Sequence, residues 1–485
     1  MTKGMSEARR RHQELADAAT VAAQRGKERA RQDPHRLAYH FMPPSGWIND
    51  PNGLIHWSGQ YHLFYQHNPY APNWGSMHWG HAVSRDLVHW RHLPVALAPG
   101  EPYEGGGGCF SGSAVDDDGT LSLLYTGSAP ERQVQCLACS DDGVEFVKYP
   151  GNPVIADPPS DGSPEDFRDP KVWRHDGVWH MVVGTRGDGR GRALLYRSDN
   201  LRDWSYAGVL AESDGSQGSM WECPDLFPLG DGHVLVFSPI GVERRKAVYQ
   251  VGEMGYGAGR FAADRQRDVD YGPAFYAPQT FRDERGRRIM FGWMTASWEE
   301  RPTKAYGWEG AQTLPRLVEA GPEGGVRFRP VPEVAVLRGE HRRVDQMELD
   351  GEVPLPGIAG DSLELLAEFA LGQGAECGLC VRCNPAGDES TGIIYNAEEG
   401  VLRVDAGASG RVDGGLGEAP LPLPADGLLR LHVFVDRSSV EVFGGDGRVV
   451  LSHRIYPGPE SLGVRLTGRG ATLRRLDAWE LPSVW

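Results

Sequence analysis

Three acidic residues stand in similar short motifs at points far apart in the chain. The motifs are N-D-P, R-D-P and E-C-P, and they hold Asp50, Asp169 and Glu222. Carboxylates that are brought together repel one another, so a cluster of them is expected to bind a cation or to do chemistry. Two uses fit: a calcium site, or glycoside hydrolysis, which pairs a carboxylate nucleophile with a carboxylic acid. Any single Asp-Pro pair, by contrast, is ordinarily a turn.

The acids belong to a repeat that runs through the first two thirds of the chain. Each unit has a polar or proline-containing start, an apolar stretch, a turn glycine and then an alternating strand. A unit of about 60 residues with about four short strands is typical of a propeller blade, although an ordinary multi-strand sandwich is the alternative. The sequence therefore predicts an all-β fold with a five-bladed β-propeller. The five copies begin about 54 to 61 residues apart, at Asn49, Phe110, Arg168, Glu222 and Tyr276.

This architecture would bring the acids together. The innermost strand of each blade lines a central channel, and the loops that enter these strands crowd one end of it. Asp50, Asp169 and Glu222 should therefore meet at one mouth, with Asp225 as a fourth nearby candidate. Relative to its proline, Glu222 lies one place earlier than the two aspartates. Either a bulge in the strand or the longer glutamate side chain would compensate for this offset.

Tryptophans are frequent near the repeat starts. Aromatic faces suit the apolar C–H faces of sugars, although tryptophan is equally a core residue. These indoles favour a sugar site when they are taken together with the acids. They are Trp47, Trp74, Trp79, Trp221 and Trp308.

The last third of the chain differs, because alternating strands joined by tight turns replace the repeat, as in FVDRSSVEVFGGDG. It predicts a separate C-terminal β-sandwich. At the other end, the segment from Met5 to Arg25 has neither glycine nor proline and predicts a solvated helix. The predicted organisation is a helical extension (1–36), a propeller (37–335) and a linker with the sandwich (336–485).

Composition excludes several classes of function. The 64 glycines and 35 prolines among 485 residues argue against an all-helical protein, and the net charge of −16 argues against nucleic acid or an anionic membrane as a partner. No apolar run is long enough to span a bilayer, and the charged N-terminus has no secretory pattern, so a cytoplasmic location is expected. A small molecule is the expected partner, and a homo-oligomer is compatible with the sequence.

No metal site is predicted. Two C-x-x-C spacings, Cys136/Cys139 and Cys377/Cys380, lie in segments with strand patterns, where residues three apart point to opposite faces. The same holds for the histidines of MHWGHAV, at 78 and 81. Small buried thiols and hydrogen-bonded histidines are the expected structural roles.

In order along the chain, the motifs YHFMPPSGWINDPNGL (39–54), FSGSAV (110–115), FRDPKVW (167–173) and WECPD (221–225) resemble those of glycoside hydrolase family 32, the invertase and fructanase family. FVDRSSVEVF resembles a block of that family's C-terminal sandwich. The resemblance implies a propeller with a sandwich, a retaining mechanism and no cofactor. It also implies that Asp50 is the nucleophile, Glu222 the general acid/base and Asp169 a stabiliser of the transition state. The implied substrate-binding residues are Trp47, Asn49, Gln66, Trp74, Phe110, Ser111, Arg168 and Trp308.

The resemblance predicts a β-fructofuranosidase that hydrolyses sucrose or a related β-fructoside. An exo-acting inulinase or levanase is the nearest alternative, and sucrose 6-phosphate is another substrate, although no basic cluster in the sequence identifies a phosphate pocket. A sugar-binding propeller without activity would be expected to lack Asp50 or Glu222, and both are present. A related arabinofuranosidase-type enzyme would share the acids but not W-I-N-D-P-N-G followed by W-E-C-P-D.

Overall fold

Short strands between glycine-rich turns make up most of the molecule. The computed structural model describes residues 7–244, 246–295, 301–423 and 426–485. The first six residues of the predicted helical extension lie outside these ranges. Within them, five four- or five-stranded sheets are followed by one sheet of nine strands. The structure confirms the predicted five-bladed propeller and the C-terminal β-sandwich.

The five blades follow one another along the chain, and the start of every predicted repeat lies on the first strand of its blade. Blade 1 contains β1 (Gly46–Trp57), β2 (Gln60–Asn68), β3 (His78–Ser84) and β4 (Trp90–Leu97). Blade 2 contains β5 (Gly108–Asp117), β6 (Thr120–Ser128), β7 (Gln133–Ser140) and β8 (Val147–Lys148). Blade 3 contains β9 (Phe167–His175), β10 (Val178–Gly187), β11 (Arg190–Ser198) and β12 (Ser205–Glu212).

The last two blades complete the ring. Blade 4 contains β13 (Met220–Leu229), β14 (Gly232–Ile240), β15 (Val248–Gly255) and β16 (Arg260–Asp268). Blade 5 begins with β17 (Tyr276–Arg282) and β18 (Arg288–Met294). The chain then forms β19 (Trp308–Glu309), which pairs in parallel with β1 and so closes the ring onto blade 1. Blade 5 ends with β20 (Ala311–Gln312), β21 (Arg316–Ala320) and β22 (Val326–Pro330).

The helices are few and short. In α1 (Glu7–Arg25), alanines at helical spacing (Ala16, Ala19 and Ala23) form the buried face, and the helix packs against β4. The next helix is α2 (Lys27–Arg31), and no helix in the described part of the chain is long and apolar enough to cross a bilayer. Single 3-10 turns lie at Pro102–Glu104, Pro302–Tyr306, Pro322–Gly324 and Pro332–Leu337.

The C-terminal sheet curves over its own core because its longest strands bend and contribute to both layers. It consists of β23 (His341–Ala359), β24 (Ser362–Cys383), β25 (Thr391–Asn396), β26 (Val401–Asp405), β27 (Leu416–Pro420), β28 (Leu428–Asp436), β29 (Ser439–Gly444), β30 (Val449–Arg454) and β31 (Gly463–Glu480). Its apolar core is separate from those of the blades. The division of the chain at 36 and 335 stays a proposal.

A buried polar network joins the sandwich to the propeller. His40 donates or accepts at both ring nitrogens, 2.8 Å from Asp436 Oδ2 and 2.9 Å from Glu441 Oε1. Arg316, from β21, reaches Glu441 Oε2 at 2.5 Å and Asp270 Oδ2 at 2.9 Å. Burial alone would lower the pKa of His40, but the two carboxylates raise it to about 9. The D-R-S-S-V-E motif of the sandwich is therefore an interface motif.

Candidate active site

The innermost strand of every blade carries one extra residue at the same level near its start. Each strand slips by one residue against its neighbour at this point, as in a β-bulge, which redirects side chains. The five residues at the bulges form what we call the inner ring around the channel mouth. Three of them have left-handed backbone, with φ of 67° at Asp169, 48° at Cys223 and 47° at Ala277. The inner ring consists of Asp50, Ser111, Asp169, Cys223 and Ala277.

The residue before each bulge belongs to a second layer, the outer ring. Asp50 and Asp169 are therefore inner-ring residues, whereas Glu222 is an outer-ring residue, and this explains its one-place offset in the sequence. Its bulge position is taken by Cys223. The outer ring consists of Asn49, Phe110, Arg168, Glu222 and Tyr276.

Asp50 is half-buried and surrounded by donors. The Ser111 hydroxyl donates to its Oδ2 at 2.6 Å, and the Asn49 amide donates to Oδ1 at 3.1 Å. Asn49 is itself held by the indole N–H of Trp47, which donates to the Asn49 side-chain oxygen at 2.8 Å. Hydrogen bonds to the ionised form favour it, so these donors suit a carboxylate that must stay charged.

Asp169 is the most buried of the three acids, with 6% of its surface exposed. The Cys223 N–H donates to its Oδ2 at 2.8 Å. Burial raises the pKa of Asp169 to about 7, and the neighbouring Glu222 and Asp50 add to this rise although Arg168 opposes it. Asp169 therefore takes up a proton far more readily than an exposed aspartate does.

Glu222 remains open to solvent, with one fifth of its side-chain surface exposed (20%). Its Oε1 accepts from Nε and Nη2 of Arg168, both at 3.2 Å, and its Oε2 accepts from the Tyr276 hydroxyl at 2.7 Å. Arg168 is held in turn by Asp166, at 2.9 Å. The carboxyl group is thus oriented from both sides while it faces the channel mouth.

The thiol of Cys223 lies between the two aspartates. Its Sγ is 3.7 Å from Asp50 Oδ2 and 3.6 Å from Asp169 Oδ2. Burial, and then the surrounding carboxylates, raises the pKa of this thiol well above its usual range. Cys223 therefore stays a neutral S–H donor at the centre of the acids.

The implied substrate contacts divide into exposed and buried residues. Trp74 is 48% exposed and meets the partly exposed Phe110 edge-on, with ring centroids 6.0 Å apart. Ser111 and Arg168 also reach the acids. Gln66 and Trp47 are buried beside the site: the Gln66 amide donates to the Cys109 carbonyl at 2.9 Å, and the Trp47 ring packs edge-on against another indole.

Trp308 is not brought to the acids. It is completely buried, its indole N–H donates to Asp33 Oδ2 at 2.8 Å, and the Arg36 guanidinium lies 5.2 Å above its ring. A fully covered indole cannot touch a substrate that enters from solvent, so its assignment as a substrate contact is corrected. Its place in β19 makes it part of the closure between blades 5 and 1.

Asp225, the fourth candidate acid, is not one of the reactive acids at the channel mouth. It lies two residues beyond the bulge, 1% exposed, and its Oδ2 is 3.2 Å from Lys171 Nζ. Tyr276 was missed as a site residue, although its place at the start of the fifth repeat aligns it with Glu222. Asp166 was missed because nothing in its local sequence distinguishes it from a loop aspartate.

The histidines that were considered for metals have structural partners. His81 stacks on Phe64 at 4.0 Å between ring centroids and hydrogen-bonds to His62, while His78 contacts the Ser76 carbonyl. Both C-x-x-C pairs lie in strands, β7 and β24, as predicted. Across the described ranges, no group of three or more His, Cys, Asp or Glu side chains is arranged to hold a metal ion.

A five-bladed propeller followed by a β-sandwich, with three carboxyl groups at one mouth of the channel, defines a class of carbohydrate-cleaving enzymes. The chain belongs to glycoside hydrolase family 32. The model of the glycosyl hydrolases family 32 N-terminal domain matches residues 40–327, and that of the family 32 C terminal matches residues 333–480.

Individual relatives agree with this membership. A sucrose-6-phosphate hydrolase of Escherichia coli is 40% identical over 474 residues, covering 92% of this chain and 94% of that protein. A raffinose invertase of Escherichia coli is 41% identical, covering 87% of this chain and 90% of that protein. The solved structure of a Bombyx mori β-fructofuranosidase mutant in complex with sucrose has a TM-score of 0.84 at 32% identity and covers 99% of each chain.

Proposed function

We propose that this glycoside hydrolase is a β-fructofuranosidase that releases the terminal β-D-fructosyl unit of sucrose or a related β-fructoside with retention of configuration. The observation that carries the proposal is the division of the acids between two rings. Asp50 sits among hydrogen-bond donors in the inner ring, and Glu222 faces the mouth from the outer ring. Retaining hydrolysis needs one acid of each kind.

In the first step, Asp50 attacks the anomeric C2 of the fructosyl unit. The bond between Asp50 Oδ and C2 forms while the bond from C2 to the leaving oxygen breaks, and Glu222 gives its proton to that oxygen. In the second step, Glu222 takes a proton from water, whose oxygen attacks C2 and releases Asp50. The contacts from Arg168 and Tyr276 orient Glu222 for both proton transfers.

Asp169 stabilises the transition state in this scheme. It lies at the next acidic inner-ring position, and the Cys223 N–H fixes its Oδ2. From there a carboxyl group can hydrogen-bond to the hydroxyl groups of the bound fructosyl ring. Trp74 and Phe110 supply apolar faces at the mouth.

Sucrose 6-phosphate is the second candidate substrate, and the comparisons favour it as a specific alternative. Six of the curated relatives carry the name sucrose-6-phosphate hydrolase. A levanase of Bacillus subtilis is also similar, with 37% identity and 93% of this chain covered. All these names share a β-fructosyl unit in the substrate, and they differ in what is attached to it.

A cytoplasmic location is part of the proposal. All seven cysteines lie in the described part of the chain and are free thiols, which suits a reducing compartment. Fractionation of cells that produce the native protein should find it with cytoplasmic markers, and recovery with exported proteins would contradict this.

The test is a product assay on sucrose, sucrose 6-phosphate, raffinose, inulin and levan, with the Asp50→Asn variant beside the wild type. We expect fructose release by the wild type, with kcat/KM higher on a disaccharide than on either polymer, and loss of release in the variant. Equal rates on polymer and sucrose would overturn the disaccharide preference. Retained hydrolysis by Asp50→Asn would overturn the assignment of the nucleophile.

A further inference from the structure

A third layer of side chains follows the two rings along the same five strands. These residues lie two places beyond the bulges, and all five are buried. Only two of them are charged, and those two belong to the blades that carry Asp169 and Glu222. The layer consists of Asn52, Ser113, Lys171, Asp225 and Gln279.

Lys171 and Asp225 form an ion pair that joins three blades. Lys171 Nζ lies 3.2 Å from Asp225 Oδ2 and also donates to the Thr280 carbonyl. The same Asp225 oxygen accepts from the Thr280 N–H at 2.7 Å. The first strands of blades 3, 4 and 5 are therefore tied at one point, below the acids.

Lys171 and Asp225 lie close in sequence to two residues with unfavourable left-handed backbone conformations. Lys171 is two residues after Asp169, and Asp225 is two residues after Cys223, and both bulge residues have the left-handed φ described above. Such conformations persist in residues other than glycine only where the surroundings hold them. The bulges on both strands in turn aim Asp169 and Glu222.

A contribution to folding stability is not a sufficient explanation for this buried ion pair. Burying two charges costs desolvation free energy that their attraction often fails to exceed, and apolar pairs are frequently as stable. The second oxygen of Asp225, Oδ1, is buried and has no hydrogen-bond partner among the described residues, which adds to this cost. A geometric role explains the pair better.

We propose that Lys171 and Asp225 are positioning residues, which hold the strands of Asp169 and Glu222 at the separation that the reaction needs. The proposal rests on the roles assigned to those two acids. Neither positioning residue touches the substrate, so their effect should appear in kcat much more than in KM. A displacement of reacting groups by about 1 Å is enough for a roughly 100-fold loss.

The experiment compares Asp225→Asn, Lys171→Met and the double variant Lys171→Met/Asp225→Asn. The asparagine keeps an oxygen for the Thr280 N–H, and the double variant removes both charges of the ion pair together. Tm and the kcat and KM for sucrose are measured, with each kcat taken at the same interval below that variant's Tm. The matched control is Asp270→Asn, which breaks the equally buried pair with Arg316 at the interface with the sandwich.

We expect the single variants to lose Tm, and the double variant to recover it while its kcat stays about 10- to 100-fold below wild type with nearly unchanged KM. Asp270→Asn should lose Tm but keep kcat. If kcat rises with Tm in the double variant, or if either single variant keeps wild-type kcat, the positioning role is wrong. Should the single variants fail to fold, the kcat of the double variant decides alone. Glu222→Gln, assayed in parallel, separates this result from a failure of the proposed function.

Discussion

The pKa values of two buried carboxyl groups in this molecule are shifted in opposite directions. Asp169, at the channel mouth, has a pKa raised to about 7, whereas Glu441, at the interface with the sandwich, has a pKa lowered to about 2. Burial raises the pKa in both cases. The outcome differs because Arg316 and His40 both face Glu441, whereas Arg168 is shared between the acids around Asp169.

The comparison distinguishes charge that supports the fold from charge reserved for chemistry. At the interface, Glu441 also accepts a hydrogen bond from the Leu314 N–H at 2.8 Å. Its ionised form is therefore stabilised by a backbone donor as well as by Arg316 and His40. At the mouth, Asp169 is buried beside the carboxylates of Glu222 and Asp50, which stabilises its protonated form although Arg168 opposes this. Such perturbed groups are characteristic of active sites.

The largest expected effect belongs to Glu222. Glu222→Gln should lower kcat by about 10³-fold, because a general acid/base is lost, while Tm stays near wild type. Steady-state assays on sucrose and thermal unfolding measure both quantities. Asp86→Asn, in a turn between β3 and β4, is the control that should leave kcat unchanged. A Glu222→Gln variant within about tenfold of wild type would mean that another group transfers the proton.

Glu441 should show the reverse behaviour. Glu441→Gln removes a charge between two buried cations, and we expect a loss of about 3 kcal/mol in the free energy of unfolding, measured in urea. The kcat of the folded protein should not change. A parallel loss of kcat at full folding would show that the two regions are not separate.

A smaller loss is expected when one contact to Glu222 is removed. Tyr276→Phe deletes the hydroxyl that donates to Glu222 Oε2 and should lower kcat by about tenfold, as expected for a hydrogen bond to an ionisable group. An unchanged kcat would remove Tyr276 from the site.

The last predicted effect is on stability alone and depends on pH. Because the pKa of Asp169 is raised on folding, the folded state holds more protons between about pH 4 and pH 7, and this contribution to stability is lost as pH rises through about 7. Asp169→Asn removes the buried charge and should therefore have a higher Tm than wild type at about pH 8. The difference should shrink toward about pH 4. A Tm difference independent of pH would contradict the raised pKa.

Much of the architecture follows from the repeat. The five similarly spaced copies were enough to predict five blades. The N-D-P, R-D-P and E-C-P motifs at three of their starts were enough to bring Asp50, Asp169 and Glu222 to one mouth. They could not assign the acids to two rings, because that depends on the bulge, which is a property of strand pairing.

Tertiary packing also places two of the predicted site residues, Trp308 and Asp225, away from the reacting groups. Trp308 was predicted to contact the substrate, but its position in β19 buries it where blade 5 meets blade 1. Asp225 lies three residues after the acid/base in W-E-C-P-D, yet it forms an ion pair with Lys171 of another blade. Partners so far away in the sequence leave no local pattern.

The central claim is that Asp50 carries the fructosyl group and that Glu222 supplies and removes the proton. A Glu222→Ala variant supplied with fructosyl fluoride, whose leaving group needs no acid, should form the covalent intermediate but hydrolyse it slowly, because the base is missing. Mass spectrometry of the digested protein should then find one fructosyl unit on the peptide that contains Asp50, and azide should release it as the β-fructosyl azide. A fructosyl unit on another residue, or azide product of inverted configuration, would contradict the account.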